Sequence, residues 1–75
     1  MIYNRDCNKL IEIIGGVYMR VIQHNKHRSE NGNYIRINYV PHMNSYMCYE
    51  NGEIEEVLDG NRKEDMERLK QWELV

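Results

Sequence analysis

The sequence predicts a single α+β domain over residues 1–75, in which an antiparallel sheet of four to five strands forms a hairpin meander and a C-terminal helix packs on one face. Three observations support this fold class. Short stretches alternate between apolar and polar residues, Gly-Gly and Asn-Gly pairs separate such stretches, and only the end of the chain has apolar residues at helical spacing. A chain of 75 residues is long enough for one small core and too short for two domains.

The first predicted hairpin surrounds the Gly-Gly pair. Residues 10–14 are rich in Ile and residues 17–23 alternate in polarity, which is typical of two strands joined by a tight turn. A helix remains an alternative over residues 6–14, because Asp6 can cap a short helix that ends at the first glycine. The β-branched residues favour the strand without deciding it, since they lower helix stability only slightly.

A polar segment and a third strand follow. Residues 24–33 contain no apolar side chain and predict a solvated loop. Residues 34–40 alternate, with Ile and Tyr on one face. They predict a strand that ends at Pro41, because proline has no amide hydrogen to donate to a sheet ladder.

The clearest local signal is a second hairpin, formed by residues 45–50 and 53–58 around Asn51 and Gly52. Asn-Gly supplies the two residues of positive φ that a type I′ turn requires. The two-residue loop then pairs Tyr49 with Ile54, Tyr46 with Val57 and Glu50 with Glu53.

Residues 62–74 predict the C-terminal helix. We expect Asn61 to cap it, with Glu64 completing a capping box, and Glu64 to pair with Arg68 four residues later. The apolar stripe directed at the sheet consists of Met66, Leu69 and Trp72.

The core has to be built from aliphatic residues, Met and aromatic residues other than Phe, because the sequence contains no Phe, Ala or Thr. The predicted strand and helix faces select its members. They are Ile13, Val17, Met19, Val21, Ile35, Ile37, Tyr39, Ile54, Val57, Leu58, Met66, Leu69 and Trp72.

Composition excludes several classes. Cys7 and Cys48 are too few for a secreted disulfide scaffold, so we expect both thiols to be free and inert. No apolar run reaches the roughly 18 residues that cross a bilayer, and the first residues lack the apolar centre of a signal peptide. These features predict a cytoplasmic protein that does not contact membranes.

Charge is divided unequally along the chain. Residues 1–46 carry six basic and three acidic side chains, whereas residues 47–75 carry four basic and nine acidic ones. The acidic half predicts either a docking face for a basic partner or a solvated surface with a favourable helix N-terminus. The candidate partner-binding residues are Glu50, Glu53, Glu55, Glu56, Asp59, Glu64, Asp65 and Glu67.

These features lead to a non-enzymatic interaction module as the main hypothesis. Its acidic face would occupy the basic groove of a host protein that handles nucleic acid, as a phage-type inhibitor does. Anti-CRISPR proteins use that strategy, and the analogy rests on size, composition and charge rather than on a motif. The abundance of Asn, Ile and Tyr is typical of AT-rich genes. We expect no cofactor, no metal and, given a pI near 5.9, no direct contact with nucleic acid.

The basic and histidine-rich segment supports the alternative hypotheses. His24, His27 and His42 are candidate general acid–base groups of a small ribonuclease or toxin, with Arg28 or Arg36 as the phosphate ligand. The same three histidines would form a metal triad if the fold brought them together. The composition favours a solvated loop over both alternatives.

Surplus apolar residues raise the possibility of self-association. Five of them exceed what one helix can cover: Tyr34, Val40, Met43, Tyr46 and Met47. Tyr and Met are common in interface cores, so these residues predict a homodimer or, alternatively, a second layer against the N-terminal hairpin. A purely structural homodimer is therefore a further alternative function.

Overall fold

The computed structural model describes the backbone of residues 2–4, 9–14 and 16–75, and the side chains of residues 16 and 18–75. Within this part of the chain, six antiparallel strands form one sheet and a single helix follows. The elements are β1 (Ile2–Asn4), β2 (Lys9–Ile14), β3 (Val17–Arg28), β4 (Tyr34–Val40), β5 (Ser45–Glu50), β6 (Glu53–Asp59) and α1 (Lys63–Leu74). The strand order β1-β2-β3-β4-β5-β6 is a meander, so the predicted fold class is confirmed, with the short β1 as the additional strand.

The N-terminal hairpin has the strand conformation over residues 9–14. β2 pairs with the first half of β3, from Lys9 opposite Ile22 to Ile14 opposite Val17. The helical alternative is therefore wrong for these residues, because cross-strand pairing adds to the β preference of the isoleucines. Its expected cap, Asp6, and the thiol of Cys7 lie outside the described residues.

β3 is longer than the sequence predicts. It continues to Arg28, so the predicted solvated loop is wrong for residues 24–28, and only residues 29–33 form a turn. A β-bulge lies between Gln23 and Asn25, and the strand beyond it pairs with β4. This polar segment is extended because the apolar β4 supplies its partners, not because its own residues favour a strand.

The second hairpin has the expected turn and a shifted register. Asn51 and Gly52 have φ values of 53° and 86°, and Tyr49 lies opposite Ile54, as predicted. Beyond that pair Glu55 is an extra residue, since Cys48 lies opposite Glu56. The predicted pairing of Tyr46 with Val57 is therefore wrong, and Tyr46 lies opposite Leu58.

One face of the sheet, the helix face, is covered by α1. Leu69 on α1 packs with side chains of three neighbouring strands, and the predicted stripe of the helix is directed at the sheet. The buried cluster consists of Ile37, Cys48, Leu58 and Leu69, with Tyr46, Met66 and Trp72 half-buried around it. Since side chains that pair across strands share a face, Ile35 and Tyr39 also belong to the helix face.

The other face, the opposite face, has its own buried cluster. It consists of Val21, Val40, Met47 and Tyr49, with Met19 packed against it. Val40 and Met47 were among the apolar residues that exceed what one helix can cover, and the structure buries them in this second cluster. Met43, which belongs to the same group, is 44% exposed in the β4–β5 turn.

Two predicted core residues are wrong. Ile54 is 49% exposed and Val57 is 53% exposed. Ile54 pairs with Tyr49 on the opposite face, at the edge of the sheet. The bulge at Glu55 moves Val57 to the same face and leaves Leu58 as the core residue of β6. The side chains of Ile13 and Val17 lie outside the described ones.

The helix begins differently from its prediction. Its N-cap is Arg62, which forms no side-chain cap hydrogen bond. Asn61 instead accepts a hydrogen bond from Asn44 (Nδ2 to Oδ1, 3.0 Å) in the preceding turn. Asp65 of the first helical turn accepts a hydrogen bond from the backbone N–H of Asp59 at 2.8 Å. The joint between β6 and α1 is thus held by side chains that the capping-box pattern does not include.

Candidate functional site

The predicted acidic residues lie on β6, on the end of β5 and on the first two turns of α1. β6 and α1 pack against each other and run in opposite directions, because Asp59 contacts Asp65 and Glu56 contacts Trp72. Four of the eight carboxylates are exposed: Glu53, Glu55, Glu64 and Glu67. We call these four side chains the acidic surface.

The other four carboxylates are half-buried and hydrogen-bonded within the protein. Glu50 accepts from the Asn33 side chain at 2.9 Å. Asp59 accepts from the backbone N–H of Asn61, and Asp65 accepts from that of Asp59, both at 2.8 Å. These three side chains fix turns and the start of the helix, so their carboxylates are structural as well as acidic.

Glu56 is the most strongly bound of the eight. Both of its carboxylate oxygens lie 2.7 Å from Nε of Arg68, and Trp72 donates its indole N–H at 2.8 Å. Burial alone would raise the pKa of Glu56, but the hydrogen bonds from Trp72 and Arg68 outweigh it and lower that pKa. The predicted pair of Glu64 with Arg68 is therefore wrong, and Glu64 lies 3.6 Å from Arg62.

No Lys or Arg side chain that the structure describes in the first half of the chain forms an ion pair with the acidic surface. Among the described residues, the ion pairs of Lys and Arg are Arg68 with Glu56 and Arg62 with Glu64, and both bases come from the helix or its cap. Cross-strand pairing places Lys26, Arg28 and Arg36 on the opposite face. The sheet therefore separates these three bases from α1, which carries Glu64 and Glu67.

The predicted histidine cluster is divided between two places. His24 bonds to the carboxylate of Glu73 at 2.6 Å, and His27 bonds to the backbone oxygen of Val75 at 3.0 Å. Both histidines thus lie on β3, against the end of α1, while His42 is exposed in the β4–β5 turn. Over the described residues, no group of three or more His, Cys, Asp or Glu side chains can hold a metal ion. The predicted metal triad is therefore wrong, because His24 and His27 lie on the long β3 and His42 lies in the β4–β5 turn.

Cys48 has the properties of an inert thiol. Its side chain is fully buried in the helix-face cluster. Burial, with a smaller contribution from Glu56, raises its pKa to about 12. The structure therefore agrees with the expectation of a free, unreactive thiol at this position.

A cleft of about 270 Å³ lies beside the acidic surface, between the end of α1 and the β3–β4 turn. Ile35 and Trp72 supply apolar lining, and Asn33, Glu50 and Arg68 supply polar groups. This cleft could not be predicted from the sequence, because its lining comes from four elements that are distant along the chain.

β6 is an edge strand of the described sheet and carries Glu53 and Glu55 of the acidic surface. An edge strand has backbone N–H and C=O groups that do not pair with a neighbouring strand. Glu53 and Glu56 lie on its helix face, and the exposed Ile54 and Val57 lie on its opposite face. Charged residues and a bulge also protect an edge strand from aggregation. This protection is a structural reason for the glutamates and the bulge of β6.

The comparisons with known proteins add no relative. No protein-family model matches the chain, and no match was found among curated proteins or solved structures. In the described part of the chain, α1 is neither long enough nor apolar enough to cross a bilayer.

Proposed function

We propose that this protein is a non-enzymatic interaction module whose acidic surface binds a basic region of another protein. The observation that carries the proposal is the exposure of Glu53, Glu55, Glu64 and Glu67 on two packed elements. The bases Lys26, Arg28 and Arg36 lie on the other face of the sheet. Such a surface accelerates the encounter with a basic protein and repels phosphate backbones.

The edge strand β6 adds an apolar contact surface to the charge of the acidic surface. Ile54 and Val57 expose about half of their area beside the carboxylates, and protein interfaces combine such apolar residues with a charged rim. Pairing of β6 with the β6 of a second copy is unfavourable, because it would bring Glu53, Glu55 and Glu56 of the two copies together. A basic partner removes that repulsion.

The partner class follows from the charge. Proteins that hold nucleic acid expose clusters of Lys and Arg, since neutralising phosphates supplies most of their affinity. A module that covers such a cluster competes with nucleic acid for it. This mode of action is that of an inhibitor, as the sequence led us to expect.

Charge reversal tests the proposal. The variant Glu53→Lys/Glu55→Lys/Glu67→Lys changes exposed carboxylates and spares Glu56, Asp59 and Asp65, whose hydrogen bonds hold the fold. The immobilised protein and the variant are compared for capture of purified basic nucleic-acid-binding proteins. We expect capture to fall at least about tenfold, because facing like charges cost more than the 1.4 kcal/mol of one decade.

The control is Glu30→Lys, compared with the single variant Glu55→Lys. Both reverse one exposed glutamate, but Glu30 lies in the β3–β4 turn of the basic half. We expect Glu55→Lys alone to weaken capture and Glu30→Lys to leave it unchanged. Equal capture by the triple variant, or equal loss with Glu30→Lys, contradicts the proposal.

A further inference from the structure

A second charged surface lies on the opposite face, where β3 and β4 pair beyond the bulge. Lys26 lies directly opposite Arg36, and Arg28 lies directly opposite Tyr34. The cations of Lys26 and Arg28 lie 5.4 and 5.9 Å from the centre of the Tyr34 ring. We call Lys26, Arg28, Tyr34 and Arg36 the cationic patch.

The cationic patch carries an electrostatic cost that the fold does not explain. Like charges directly opposite on neighbouring strands repel each other, as Lys26 and Arg36 do. Among the described residues, none of the three cations forms an ion pair. Nε of Arg36 is buried and has no hydrogen-bond partner. A buried donor without an acceptor is costly, and a bound anion would supply the negative charge that the three cations lack.

Packing keeps the guanidinium of Arg36 in place. It lies 4.4 Å from the centre of the Tyr49 ring, which is itself buried. This cation–π contact fixes the side chain over the sheet. Arg36 is thus already positioned to bind a phosphate group, whereas Lys26 is exposed and can adjust to a bound molecule. Arg28 is exposed and donates one hydrogen bond from Nη1 to the backbone oxygen of Gly32 at 3.0 Å.

We propose that the cationic patch binds a short segment of single-stranded nucleic acid. Lys26, Arg28 and Arg36 contact phosphate oxygens, and the half-buried ring of Tyr34 stacks on a base. Side chains two residues apart on a strand are separated by roughly 7 Å, so Lys26 and Arg28 reach successive phosphates of an extended strand. An open sheet face with an aromatic ring and cations is suited to unpaired bases, because a duplex hides its base faces.

The net charge of −2 does not oppose this site. The pI of 5.9 averages both faces, and it led us to expect no direct contact with nucleic acid. In the structure, the acidic surface lies on β6 and α1, while the cationic patch lies on β3 and β4. Interactions between exposed charges are screened over about 8 Å at physiological salt. The patch can therefore attract phosphates independently of the acidic surface.

The test is fluorescence anisotropy with a labelled 12-nucleotide poly-dT strand and the full chain. With three phosphates neutralised, log K should fall with log salt at a slope of about −2, which is roughly a twentyfold loss between 50 and 200 mM salt. Tyr34→Leu should weaken binding at least about fivefold, as expected for one lost base stack.

The matched charge control uses two double variants. Lys26→Gln/Arg28→Gln removes two exposed cations from the patch, and Lys63→Gln/Lys70→Gln removes two exposed cations from α1. The first should lower affinity at least about tenfold and make the salt slope less steep, and the second should change neither. Circular dichroism shows that each variant is folded.

Three outcomes overturn the inference. They are no binding at 50 mM salt, equal loss in the two double variants, and duplex binding as tight as single-strand binding with no effect of Tyr34→Leu. None of these measurements depends on the acidic surface. Failure here leaves the proposed function standing, and the reverse also holds.

Discussion

The two faces of the sheet use their polar side chains in different ways. On the helix face, two contacts of ionic groups connect the sheet to α1: Glu56 with Arg68 and Trp72, and His24 with Glu73. On the opposite face, Lys26 and Arg36 lie against each other without an ion pair among the described residues. The first arrangement stabilises the fold, whereas the second lowers its stability.

This difference helps to separate structural from functional charge. A carboxylate that accepts several hydrogen bonds at half-buried positions is explained by folding alone. Exposed charges without partners are not explained in that way, although a solvated surface tolerates them. Glu53, Glu55 and Glu67 of the acidic surface and Lys26 of the cationic patch are exposed charges of the second kind. Variants of the buried contacts between α1 and the sheet should therefore change stability, and variants of the two surfaces should change binding.

The largest expected effect concerns Cys48, which reports whether the helix face opens. In a Cys7→Ser background, its labelling by a thiol reagent at pH 8 should be at least about a thousandfold slower than in urea. The thiol is buried and its pKa of about 12 leaves little thiolate, so the reaction has to await unfolding. The control is the variant Val57→Cys/Cys48→Ala, whose thiol lies at a half-exposed position of the edge strand β6 and should react rapidly. Rapid labelling of Cys48 would show that α1 detaches from the sheet.

A second expected effect is on the stability that α1 gives. Leu69→Ala removes the helix side chain buried against Ile37, Cys48 and Leu58. It should lower the free energy of unfolding by about 2–4 kcal/mol, through lost burial and a remaining cavity. Urea denaturation measures the change. Leu74→Ala, at a position 84% exposed on the same helix, should change it by less than about 0.5 kcal/mol. Equal effects of the two variants would mean that the helix does not cover the core.

Much of the fold could be predicted from local patterns, and the errors have a common origin. Asn51 and Gly52 define their turn alone, and the stripe of α1 defines its buried side, so both predictions were confirmed. The bulges at residues 24 and 55 have no local signature. The bulge at residue 55 changes the face to which Val57 belongs, and this explains why Val57 was assigned to the core. Ile54 was assigned to the core because its position on the edge strand could not be known from its own pattern.

The candidate site was predicted only in part for the same reason. The charge division between the halves of the chain could be counted, and the structure places the two groups on different elements. Which carboxylates are free could not be derived from the sequence. Glu56 is bound because Arg68 and Trp72 lie across from it on α1, and that contact depends on how the helix packs. The cationic patch depends likewise on the register of β3 with β4.

The smallest effect tests the Glu56 contacts and has a defined pH dependence. Glu56→Gln should lower the free energy of unfolding at pH 7 by about 1 kcal/mol, because a carboxylate with two donors becomes a neutral amide. The folded state lowers the pKa of Glu56, so this stabilisation is complete above the ordinary glutamate pKa of about 4.3. It is lost as the pH falls through the lowered value, where the folded carboxylate takes up its proton. Urea denaturation of the protein and the variant between pH 7 and 3 should therefore show a difference in the free energy of unfolding that decreases as the pH falls.

The control is the neighbouring exposed carboxylate. The variant Glu55→Gln should change the free energy of unfolding at pH 7 by less than about 0.5 kcal/mol. A difference for Glu56→Gln that stays constant down to pH 3 would assign its effect to shape rather than to charge.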